Sequence, residues 1–299
     1  MPQVEAWFRF GWHGINLDVP ADWELRRFHG VRRKGYARLA DTERVRLELR
    51  WDRARGGGEF NDLTDRVINK MAKHEKSDVE RRTGLAELEG KDVETYTVRP
   101  GDSSKPSSYQ MISRCRECGR IVMVRVPYQR GENIKAIARR AFGSMRDHSY
   151  DGADVWAAYD LRFAVPETMK LEHAHIYPGS TDFCFLKGSD RIDLGRVALG
   201  SMILEKTSLE DWFRTFARKQ FKKVRFDCAS QEIKGHEGLI ATGRPKRFGA
   251  LLTRLFRRQR FHCDLWHCPV SDRLHYFGVL ARRKHFENFV AYSARMVCH

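Results

Sequence analysis

The chain has 299 residues, 41% hydrophobic and 31% charged, with a formal net charge of +16. No stretch reaches the ~18 consecutive apolar residues of a membrane span, and 18 Phe with 7 Trp supply apolar area that disordered chains lack. Seven Cys behind Met1-Pro2-Gln3-Val4-Glu5, which has no basic or apolar leader pattern, argue for a cytoplasmic chain with reduced thiols and against a disulfide framework.

The first element expected is a strand near 15–19, stopped by Pro20. Over 44–51 the alternation is strict, with Val45, Leu47, Leu49 and Trp51 on one face and Arg44, Arg46, Glu48 and Arg50 on the other. That is a strand with one wet face, as in antiparallel sheets. Gly56-Gly57-Gly58 breaks the chain before a helix over 61–76, with Leu63, Val67, Ile68 and Met71 on its apolar side and Asn61 or Asp62 as its cap. Strands follow near 86–88, 93–98, 110–114 and 121–126. A helix over 132–145 closes the half, its apolar side marked by Ile134, Ile137, Ala138, Ala141, Phe142 and Met145.

The second half repeats the first at an offset of about 146 residues. Val19-Pro20-Ala21-Asp22-Trp23 falls on Val165-Pro166-Glu167-Thr168-Met169, and Thr42-Glu43-Arg44-Val45-Arg46-Leu47 on Ser189-Asp190-Arg191-Ile192-Asp193-Leu194. Leu63 and Asp65 match Leu209 and Asp211; Gly90 with Arg99-Pro100 matches Gly235 with Arg244-Pro245. Leu209, Trp212, Phe213, Phe216 and Ala217 mark a first helix, and Phe286, Phe289 and Val290 a last one. Two units, 1–150 and 151–299, are expected, each an α+β domain in which helices cover an antiparallel sheet as an α/β/α sandwich.

An aliphatic strand ending in Val-Pro-x-x-Trp, a Leu-x-Leu-x-Trp strand, a helix, a meander and a closing helix resemble the PsbP-like sandwich. Unit two departs from the pattern at Met169, which stands where unit one has Trp23. The resemblance implies a non-catalytic, partner-binding domain.

Two local patterns carry chemistry. Residues 243–260 hold seven basic residues and no acid. An inserted basic amphipathic helix over about 244–261 is expected there. Arg244, Lys246, Arg247, Arg254, Arg257 and Arg258 supply its charge, and Phe248, Leu252 and Phe256 its apolar anchor. Such a helix suits an acidic protein, a nucleic acid or an anionic membrane surface. Its bland alternative is an apolar stripe packed on its own domain with the arginines in water.

The other pattern is Cys115-Arg116-Glu117-Cys118-Gly119, a turn that lets two thiolates face one metal. The dense candidates for a second pair are His262, Cys263, His267 and Cys268, so a zinc set of Cys115, Cys118, Cys263 and Cys268 is the alternative reading, as a zinc protein or metal-assisted hydrolase. Its bland counterpart is buried strand cysteine. His173 and His175 alternate within an expected edge strand. The chain has no Walker loop, Gly-x-Ser-x-Gly or His-Glu-x-x-His. The leading expectation is therefore a binding or scaffold protein without catalysis or cofactor; a third reading gives unit two the role of a degenerate partner to unit one.

Overall fold

Leu47, Leu49 and Trp51 are fully or almost fully buried. Their strand, β5 (Val45–Arg53), lies near the middle of a seven-stranded antiparallel sheet in this computed structural model. Residues 6–53, 58–102, 104–149, 151–246 and 259–298 are described. The chain divides into two compact units, Met1–Tyr150 with Asp154–Tyr159, and Asp151–Ala153 with Asp160–His299.

Unit one starts with a hairpin of β1 (Trp7–Trp12) and β2 (Ile15–Pro20). Its sheet adds β3 (Glu24–Val31), β4 (Lys34–Ala40), β6 (Ser77–Arg81), β7 (Lys91–Pro100), β8 (Ser107–Cys115) and β9 (Arg120–Tyr128). The order across it is β3-β4-β5-β9-β8-β7-β6, every neighbour antiparallel. Side chains alternate between its faces. Tyr96, Val98 and Ile112 meet Phe60, Leu63, Val67 and Met71 of helix α1 (Phe60–Glu75) on one face. Helix α2 (Lys135–Gly143) buries Ala138, Ala141 and Phe142 and lies against β2 and β8 on the other.

Some boundaries differ from the sequence reading. No strand forms at 86–88, although Leu85 and Leu88 are buried. Glu59 occupies the cap position of α1 without a side-chain bond, and Asn61 and Asp62 lie inside the helix. Glu132 falls outside α2, and its carboxylate accepts from the Gln129 amide at 2.7 Å and from Arg46 at 2.7 Å.

The chain passes to unit two through β10 (Ala153–Ala158) and β11 (Leu161–Pro166). Unit two then forms β12 (Lys170–Ile176), β13 (Ser180–Lys187), β14 (Asp190–Ala198), α3 (Gly200–Leu204), α4 (Leu209–Gln220) and β15 (Val224–Ser230). It continues with β16 (Gly238–Pro245), β17 (Gln259–Cys268), β18 (Arg273–Arg282), α5 (Arg283–Val290) and a 3₁₀ turn, Ala291–Arg295. Its seven strands run β12-β13-β14-β18-β17-β16-β15, the same path as in unit one. Helix α4 starts at Ser208, whose hydroxyl accepts from the Asp211 amide at 3.1 Å. Leu209, Phe213 and Ala217, four residues apart, put one stripe of α4 onto Leu239, Ala241, Phe261 and Cys263. Burying the Phe213 side chain contributes about 2 kcal/mol or more.

Each unit is thus an antiparallel sheet with few helices, an α+β arrangement. No helix among the described residues is long and apolar enough to cross a membrane.

Candidate functional site

The outer edge of the unit-two sheet is formed by β15, β16 and β17. Val224, Phe226, Leu239, Ala241 and Phe261 turn toward α4, so by alternation Arg225, Arg244 and Arg260 point from the opposite face. The pairing places Arg225 directly across from Arg244. Gly243 pairs with Phe261, so one step further along this register Arg260 comes beside Arg244. Three exposed arginines therefore stand abreast on three adjacent strands. Arg225 and Arg244 have no ion-pair partner among the described residues, and Arg260 reaches only the exposed Glu287 at 3.8 Å.

Like charges directly opposite one another on a sheet are destabilising. Unit one shows the alternative at the same place: Asp78 is paired across from Arg99, with a 3.0 Å ion pair and a second from Arg99 to Glu80 at 3.1 Å.

A cleft of about 930 Å³ at this edge is lined from both faces of the sheet, by the arginine row on one and by Arg214 and Arg218 of α4 on the other, with Lys222 just past α4 and Lys246 just past β16. Phe221, Phe226 and Phe286 give it apolar walls, and Asp227 is the single carboxylate among the described residues that line it. Arg214 is held by Glu210 one helical turn earlier at 2.6 Å. The Lys246 amide bonds the Lys223 carbonyl at 2.6 Å, drawing one more lysine to this edge.

Of the expected insertion, Arg244 belongs to strand β16 and residues 259–261 to strand β17, so neither end is helical. Arg247, Phe248, Leu252, Arg254, Phe256, Arg257 and Arg258 lie outside the described residues. Arg225, Arg218 and Lys222 are not among the sequence candidates, and Arg260 is counted in the basic run without a role of its own. The signal for Arg225 is its match to Asp78, visible only once strand pairing is known.

The second candidate is the cysteine cluster. Cys115 ends β8, Cys118 sits in the following turn, and Gly119 takes a left-handed φ of 69° that lets the turn close. The ligand atoms of Cys115, Cys118, Asp147 and His148 all lie within 4.8 Å of one another. Cys115 Sγ is 3.1 Å from His148 Nε2. Burial pushes the Cys118 thiol up from its ordinary value, and the nearby Cys115 and Asp147 add to that.

In unit two the ligand atoms of His236, Cys268 and Cys298 also gather within 4.8 Å, with Cys298 Sγ 3.5 Å from His236 Nε2. The expected pairing of Cys263 with Cys268 is corrected here. Five residues apart on one strand, they point to opposite faces. Cys263 is fully buried in the α4 core, where desolvation pushes its thiol well up. His262 is engaged with Asp264 at 2.6 Å.

His173 and His175 lie on the edge strand β12 with rings stacked at 5.0 Å, and Asp182 is 3.6 and 3.3 Å from them. Ser201, His267 and Asp272 also meet, but Ser201 Oγ (3.5 Å) and Asp272 Oδ1 (3.7 Å) both face the same ring nitrogen, Nε2. A nucleophile relay needs the two nitrogens on different partners.

No family model matches the chain, and no curated protein matches it. Among solved structures it aligns with MucB in complex with MucA(peri) at 9% identity and a TM-score of 0.17, over 92% of this chain and 79% of that one. At that score the likeness carries no argument about fold or role.

Proposed function

We propose that this is a non-catalytic binding protein that takes a phosphate-bearing chain, such as a nucleic acid, in the basic cleft of unit two. The observation that carries the reading is Arg225 standing opposite Arg244, where unit one has Asp78 opposite Arg99. An edge that keeps its cations unpaired is stabilised by an anion from outside. Arginine forks suit phosphate oxygens, which they meet with two hydrogen bonds at once. A concave cleft with phenylalanine walls fits a strand or loop of polymer better than a flat bilayer.

The wider frame belongs to the same proposal. Each unit is read as a PsbP-like α/β/α sandwich and the chain as a tandem duplication, supported by the matching blocks and the common strand path. A cytoplasmic location follows from the reduced-thiol reading. Residues 247–258 add four more basic residues to this part of the sequence, and acidic protein and anionic lipid are the rival partners.

The test is a salt series of fluorescence anisotropy with labelled single- and double-stranded oligonucleotides, run beside an acidic peptide and phosphatidylserine vesicles. Micromolar oligonucleotide binding is expected, with a steep salt slope that flattens when Arg225, Arg244 and Arg260 are changed to Ala. Binding of the peptide or vesicles alone, or an unchanged slope in the variant, would overturn it.

A further inference from the structure

We infer that Cys115, Cys118, His148 and Asp147 form a zinc site in unit one, independent of the basic cleft. The four donors come from two chain segments. The hairpin turn supplies the thiols, and the segment after α2 supplies Asp147 and His148. That segment is tied to β2 by a two-way backbone bridge between Asn16 and Arg146, both bonds 2.8 Å long.

The donor spacing fits. Zinc–sulfur bonds of about 2.3 Å and zinc–nitrogen bonds of about 2.0 Å put tetrahedral ligands roughly 3.5 Å apart. Here every pair lies within 4.8 Å, and Cys115 Sγ and His148 Nε2 are 3.1 Å apart. Small side-chain adjustments then close the set.

A second observation is Asp147 itself. Its side chain is 1% exposed, and one oxygen, Oδ1, is bound by Lys91. The other, Oδ2, is buried without a hydrogen-bond partner among the described residues. An orphaned buried carboxylate oxygen costs free energy that a cation beside it offsets. Zinc with two thiolates and a carboxylate carries one negative charge, and the cations beside it, Lys91 and Arg120, suit that charge.

Unit two carries the same kind of donor at matching places. Cys268 ends β17 as Cys115 ends β8. Cys298 follows the Arg162–Val297 bridge as Asp147 follows the Asn16–Arg146 bridge. Extending the β16–β17 register two residues brings His236 opposite Cys268, where unit one has Lys91 opposite Cys115. The Lys–Asp pair of one unit is thus exchanged as a pair for His and Cys in the other. Mere packing cysteines would not require the partners to change together.

The test is a cobalt(II) titration of the full, reduced chain, alone and as the Cys118→Ser and His148→Ala variants. Both residues are partly exposed, so folding is checked by circular dichroism rather than assumed. The wild type is expected to show tetrahedral visible bands and a thiolate charge-transfer band, displaced by zinc. Each variant is expected to bind one equivalent fewer or more than about tenfold more weakly. Metal bound by unit two adds equally to all three chains and leaves that difference intact. No binding by the wild type, or equal stoichiometry and affinity in all three, would overturn the assignment. Either result leaves the oligonucleotide test of the cleft unaffected.

Discussion

His13 and His275 are buried imidazoles whose protonation the fold suppresses. His13 packs edge-on against Trp12 and Trp156, and burial, reinforced by Arg120 and Arg32, lowers it from 6.5 to about 4. His275 lies flat on Trp266 at 5.3 Å, and burial lowers it to about 3. Each is neutral in the folded unit and takes up a proton on unfolding below its free value. The stability they preserve is complete above pH 6.5 and is lost as pH falls toward 4. At pH ~5 each accounts for about 2 kcal/mol. Urea midpoints at pH 7 and 5 should therefore converge in His13→Gln and His275→Gln variants; a wild type with equal midpoints would contradict this. Glu48 shows what alternation does and does not disclose. It does lie on the face opposite Leu47 and Leu49, yet it is buried because Arg38 and Arg125 close over it, each at 2.8 Å. Partners from other strands cannot be read from one strand's pattern.

Among the elements, the long periodic segments were the legible ones. Leu209, Phe213 and Ala217 define α4 in sequence and in structure alike, while β1, β3 and β4 carry too little alternation to declare themselves. The Cys-x-x-Cys turn was equally plain, but its partners Asp147 and His148 arrive from beyond a helix. A sequence signal for them exists: Met145-Arg146-Asp147-His148 recurs as Met296-Val297-Cys298-His299. At the basic edge, Gly243 lets β15 approach closely, since a Cβ there would meet the Arg225 carbonyl oxygen at 2.0 Å. Gly243→Ala should push the edge strand away and destabilise unit two by about 1–3 kcal/mol, read as a lower urea midpoint. Losing the Ser208 cap should cost about 1 kcal/mol by the same readout. A Gly243→Ala variant as stable as wild type would mean that β15 does not lie this close to Gly243.

On the scale of the whole chain, two units share one strand path and differ where charge and ligand chemistry sit. Matching sequence blocks are the ground for expecting two units, and +16 the ground for expecting an anionic partner. Neither located the surface, because the arginine row is assembled from residues 225, 244 and 260 by strand pairing alone. Arg225→Asp tests the account most directly, since it rebuilds in unit two the pairing that Asp78 makes with Arg99 in unit one. If the row is kept for an anion, this variant should unfold at higher urea, by about 0.5 kcal/mol. Its oligonucleotide affinity should fall about tenfold or more, with a shallower salt slope. Undiminished binding, or stability lost together with binding, would contradict the central claim.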